Sequence, residues 1–159
     1  MPFNELMMNC IRDGTSHKEN GINISIQRKP RETILFFVID PESNHCSNFP
    51  EIINTDIICD LLIYYSTDGS NKKICLVELK GSDIKHAIEQ LTRTREKTNN
   101  CLKSKYQNIG WKAIIVHRCS APNQFKSASL KKRLDNAFGK GNYSMEHTTN
   151  FDAGEFIRK

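Results

Sequence analysis

The sequence predicts one α/β domain, a mixed β-sheet flanked by helices. Three observations predict it. The chain has 159 residues, enough for one substantial core and too few for two. Its composition, 38% hydrophobic and 26% charged, is that of an ordinary folded chain. Its apolar residues alternate in some segments and fall at helical spacing in others, in the order helix, four strands, helix, strand, helix, strand.

Phe3, Leu6, Met7, Cys10 and Ile11 share one face of an amphipathic helix, which Asp13-Gly14 ends. Ile22, Ile24 and Ile26 alternate with polar residues, as in a half-buried strand. Lys29-Pro30-Arg31 makes a turn, and Thr33 to Asp40 reads as the partner strand. Residues 41–56, rich in Pro, Asn and Ser, read as a loop with a short helical turn. Two strongly apolar runs follow, Ile57 to Tyr65 and Ile74 to Lys80, with Thr67 to Asn71 as the turn of a hairpin. Gly81-Ser82-Asp83 breaks the second run and starts a helix, with Ser82 as N-cap and Asp83 in the first turn. Ile84, Ala87, Ile88 and Leu91 form its apolar stripe, and it runs to about Lys103. Gly110 introduces a strand, Trp111 to His117. Ser120 to Pro122 is a loop, Ser127 to Phe138 a basic helix, and Tyr143 to Thr149 a last strand.

The net charge is +5, with acids in excess over residues 1–80 and bases in excess beyond. An acidic half followed by a basic half suits a polyanion held near a carboxylate cluster. Lys85, Arg93, Lys131, Lys132 and Arg133 are the candidate contacts to such a ligand. No run of eighteen apolar residues exists, so no membrane span is expected. Met1 to Glu5 has neither a basic start nor a long apolar stretch, so no signal peptide is expected. Six cysteines occur without a Cys-x-x-Cys pair, which gives no zinc site. They read as reduced thiols in a cytoplasmic protein.

The chemistry concentrates on the hairpin. Asp60 and Glu78 stand inside apolar strand-like runs, where a carboxylate is costly unless paired, hydrogen-bonded or bound to a cation. Glu78 and Lys80 are two apart, so a strand points them to one face. Take a register in which paired residue numbers sum to 138. Tyr64 then faces Ile74, Leu62 faces Leu76, and Asp60 faces Glu78. Two carboxylates opposite each other repel, and a divalent cation reverses that. Hard oxygen donors favour Mg²⁺ or Mn²⁺. Lys80 on the same face would reach a water or a phosphate oxygen.

Asp60, the hairpin, and Glu78-Leu79-Lys80 followed by a helix resemble the PD-(D/E)xK nuclease superfamily. The resemblance covers residues from about 3 to 118, with 119–159 as elaboration. It implies a restriction-endonuclease-like fold over one domain. It implies Asp60 and Glu78 as metal ligands, the Leu79 carbonyl as a further ligand, and Lys80 as the residue that positions the attacking water. Gln90 matches a supporting glutamine of several branches, and Glu5 a first-helix glutamate of some. The proline that usually precedes the first aspartate is replaced by Cys59. The resemblance thus implies a metal-dependent endonuclease acting on nucleic acid, DNA rather than RNA, in defence, restriction or repair. A homodimer is expected, because one centre faces two strands. The alternative from the same residues is a non-catalytic nucleic-acid-binding or regulatory module that keeps the fold.

Overall fold

The computed structural model describes residues 10–40, 55, 57–80, 82–102, 108–118 and 127–159. A six-stranded sheet forms its centre, in the order β1-β4-β5-β6-β7-β8. These strands are β1 (Ile11–Arg12), β4 (Glu32–Val38), β5 (Leu61–Thr67), β6 (Ser70–Lys80), β7 (Gly110–His117) and β8 (Tyr143–His147). From β1 through β4 and β5 to β6 each strand runs antiparallel to the next, whereas β6, β7 and β8 run parallel. The molecule is therefore α/β with a mixed sheet, as its sequence predicts.

The pleat of β6 sorts its side chains onto two cores. Ile74 and Leu76 face α1 (Ile84–Leu102) and α2 (Ala128–Phe138), where Ile84, Ala87, Ile88, Leu91, Leu134 and Phe138 are buried. Cys75, Val77 and Leu79 face the other way. There they meet a second, three-stranded sheet in the order β2-β3-β9, and the short helix α3 (Gly154–Arg158). Its strands are β2 (Ser16–Glu19), β3 (Ile22–Ser25) and β9 (Asn150–Asp152). Ile22, Ile24, Ala153 and Ile157 are fully buried against the large sheet. Each isoleucine taken from water is worth about 1.5–3 kcal/mol, so both faces contribute. The central strands read as unbroken apolar runs because both of their faces are covered.

The hairpin register is the expected one from Leu62↔Leu76 to Tyr64↔Ile74. Its turn is tighter than the sequence suggests. Thr67 pairs with Ser70, leaving Asp68-Gly69 as a two-residue turn, with a bulge between Tyr65 and Thr67. Both turn residues have positive φ (51° and 70°), as a type I′ hairpin requires.

Several expectations are corrected. The N-terminal helix falls mostly on residues outside the described ones, as does Glu5. Where the chain is described, Cys10 is a turn and Ile11–Arg12 pairs with Phe36–Phe37 of β4. An open sheet edge offers these backbone groups ladder partners. The loop over 41–56 also lies outside the described residues, apart from Thr55. The N-cap of α1 is Asp83, whose Oδ1 accepts the His86 amide at 3.0 Å; Ser82 stands one residue too early. β2, β9 and α3 carry no element in the sequence reading. Cys59 and Cys75 are buried thiols, but Cys10 is disulfide-bonded. The all-thiol reading fails there, and the cytoplasmic expectation loses that support. Among the described residues no helix is long and apolar enough to cross a membrane.

Candidate functional site

The carboxylates gather at one end of the large sheet's central strands. β6 arrives there with Glu78, Leu79 and Lys80, and β5 leaves from it immediately after Asp60. Asp40 lies just past β4, and the β2–β3 turn brings Glu19 and Asn20 over the same strand ends. Glu78 is fully buried and Asp60 is 6% exposed.

The two strands are clasped by side chains where their ladder ends. The Asp60 amide donates to Glu78 Oε2 at 3.2 Å, and the Leu79 amide donates to Asp60 Oδ2 at 2.6 Å. Glu78 Oε1 lies 2.9 Å from Lys80 Nζ. Burial pushes the Asp60 carboxyl well above its ordinary value. The Leu79 amide and Lys80 pull the other way, and Glu19 and Asp40 add to the rise. Burial likewise raises Glu78, with Asp60 adding and Lys80 opposing. Burial works against the Lys80 charge, yet Glu78, Asp60 and Asp40 hold its pKa above the ordinary value. The cluster is thus a concentration of carboxyl groups in a desolvated corner, where Asp60 and Glu78 give up their protons reluctantly, with Lys80 on Glu78 and His17 on Glu19 at 3.1 Å.

Helix α1 fixes the segment that delivers Asp60. Gln90 Nε2 donates to the Ile58 carbonyl at 2.8 Å, and Thr94 Oγ1 accepts the Cys59 amide at 3.0 Å. Gln90 thereby supports the backbone before Asp60. The sequence reading has Gln90 and misses Thr94. The Leu79 carbonyl, expected to face a cation, accepts the Asn20 side-chain amide at 3.0 Å. That contact ties the β2–β3 turn to β6 beside the site.

Glu19, Asp40 and Asp60 each place one carboxylate oxygen within 4.8 Å of the others. Mg²⁺ takes oxygens at ~2.0–2.1 Å in an octahedron, so opposite donors stand about 4 Å apart. The three donors are hard and anionic and need only a small side-chain adjustment to share one ion. Glu78, the expected second ligand, instead directs its oxygens to Lys80 and the Asp60 amide. Glu19 and Asp40 have no place in the sequence reading. Asn20-Gly21 is the signal that could have found Glu19, because it marks a hairpin turn with Glu19 at its foot.

His117 ends β7 directly beside Lys80 in the sheet, buried and stacked on His147 with ring centroids 5.1 Å apart. Of the candidate nucleic-acid contacts, Lys85, Lys131 and Lys132 are exposed, and Arg93 and Arg133 line one cleft between α1 and α2. Comparison with protein-family models, with curated proteins and with solved structures gives no match.

Proposed function

We propose that the chain is a Mg²⁺- or Mn²⁺-dependent endonuclease of restriction-endonuclease-like fold, hydrolysing phosphodiester bonds in DNA. The observation that carries the reading is the corner itself. Two buried carboxylates, Asp60 and Glu78, meet at the ends of the central strands β5 and β6, with Lys80 on one of them and Glu19 and Asp40 beside the other. Lys80 pairs with Glu78 and His17 with Glu19, yet gathering Asp60, Glu78, Glu19 and Asp40 in one corner still sets like groups together, at a cost that a bound cation would remove.

Glu19, Asp40 and Asp60 would hold the ion, with Glu78 able to join by releasing Lys80. A divalent ion held there supplies Lewis-acid polarisation of a phosphoryl oxygen and a bound water of lowered pKa. The chain's own residues do the rest. Lys80, once free of Glu78, has its ammonium at the mouth of the corner to orient a water or to meet negative charge developing on the phosphoryl group. Gln90 and Thr94 keep the Asp60 segment in place, and Asn20 keeps the Glu19 turn over the strand ends. Exposed Lys85 and the basic face of α2 attract the polyanion. Two such centres, from a homodimer, would cut both strands.

The test is cleavage of plasmid, linear and single-stranded DNA and of RNA with Mg²⁺, Mn²⁺ or EDTA. Wild type is compared with Glu78→Ala, Lys80→Ala and Asp60→Asn. Metal-dependent cutting that drops at least 100-fold in each variant is expected. Metal-independent binding without cutting on any substrate would replace the nuclease with a binding module. Cutting that survives all three substitutions would place the site elsewhere.

A further inference from the structure

The helical face carries a second concentration of polar groups, lined by residues other than those of the carboxylate corner. Between α1 and α2 lies a cleft of about 380 Å³, lined by Thr92, Arg93, Arg95, Glu96, Arg133 and Asn136. Three arginines face one glutamate among the described lining residues. Among the described residues none of the three forms an ion pair.

Arg95 is the informative member. Its guanidinium sits 5.5 Å from the Trp111 ring and 5.8 Å from the Phe138 ring. Aromatic contact occupies guanidinium faces and leaves the in-plane N–H fork for bonding. Arg95 Nε is buried and has no acceptor among the described residues. Burial pushes its pKa down from the ordinary value, yet arginine stays charged. A fixed, charged donor without an acceptor, flanked by two exposed arginines from two helices, is the arrangement a phosphate group completes.

We propose that the α1–α2 cleft is a phosphate-binding site. Arg95 is its fixed donor, and Arg93 and Arg133 close on the ligand from either helix. It is not the site of the reacting group. The described lining of the cleft includes none of Glu19, Asp40, Asp60, Glu78 and Lys80, and Arg95 follows Thr94, whose hydroxyl holds the Cys59 amide from the α1 side. The phosphate belongs either to the backbone of a bound strand or to a small phosphorylated molecule.

The experiment follows the arginine Nε–Hε resonances in EDTA. Wild type is titrated with inorganic phosphate and, separately, with a DNA duplex lacking terminal phosphates. A saturable movement of the Arg95 signal is expected. The Arg93→Gln/Arg133→Gln double variant, whose substituted side chains are exposed, should show at least tenfold weaker binding at unchanged Tm. A response to phosphate alone assigns a small ligand, and a response to the duplex assigns a backbone phosphate. An Arg95 signal unmoved by both, or moved equally in the double variant, overturns the proposal and reduces Arg95 to packing. The duplex arm rests on the nuclease reading and the phosphate arm does not. EDTA also removes cleavage, so failure here is distinct from failure there.

Discussion

Thr94 is fully buried, and its hydroxyl both accepts the Cys59 amide and donates to the Gln90 carbonyl. Thr94→Val keeps the shape and strands the Cys59 N–H. A buried amide left unpaired costs about 1–3 kcal/mol, so a lower Tm is expected by calorimetry. A second residue-scale prediction concerns Glu32. Its carboxyl is held at about 2, against an ordinary 4.5. The Arg158 guanidinium is the main cause, burial opposes it, and the Lys29 amide and Tyr65 hydroxyl help. A depressed carboxyl contributes stability that is complete above the unfolded value and lost as pH falls through the folded one. The Tm advantage of wild type over Glu32→Gln should therefore hold at neutral pH and shrink between about pH 4.5 and about pH 2. A difference independent of pH across that window would sink the assignment. At this scale Asp60, Glu78 and Lys80 were legible because charge inside an apolar run is conspicuous. Glu19 and Asp40 were not, because each is an ordinary acid at the end of a strand. Only the meeting of β2, β4 and β5 makes them neighbours.

The β2–β3 hairpin turns on Asn20-Gly21, with φ of 51° and 72° and Glu19 paired to Ile22. A methyl group on Gly21 would lie 2.7 Å from Arg118 Nη1. That arginine tip can swing away, but the backbone conformation remains costly to an L-residue, at roughly 1–2 kcal/mol. Gly21→Ala should lose about that much in urea unfolding. If the hairpin matters to the corner, metal-dependent cutting should fall further than stability accounts for. At the start of α1, Asp83→Ala removes the cap on His86, with an expected loss of about 1 kcal/mol by the same measurement. Element legibility followed pattern strength. The apolar alternation of β3 and the stripe of α1 were plain. Ser16–Glu19 buries only His17 in its pattern, so periodicity had nothing to detect in β2. The Asn-Gly pair beside it was the available cue. β9 has three residues and α3 five, too short for either period to repeat.

Across the whole molecule the second core depends on its smallest pieces. Ala153 and Ile157 are fully buried, and Lys73 Nζ donates to the carbonyls of Ile157 and Arg158 at 2.9 and 2.8 Å. Removing residues 150–159 uncovers that apolar face and leaves the buried Lys73 without those acceptors. A lower Tm and dye binding to exposed apolar surface are expected, with loss of cutting as the Glu19 turn comes free. The sheet and its two faces were foreseeable from apolar runs, since burial on both sides leaves its mark on every residue of a strand. The small sheet was not, because its β3–β9 pairing joins Asn23 to Asn150 and Ser25 to Asp152.

That pairing also sets an order of events. β4, β5 and β6 are neighbours in sequence and can zip together soon after they are synthesised, whereas β3 must wait for a partner made more than a hundred residues later. Closing so long a loop is slow. The hairpin that carries Glu19 is thus anchored among the last parts of the fold, and the acidic corner is assembled only when the two ends of the described chain have met.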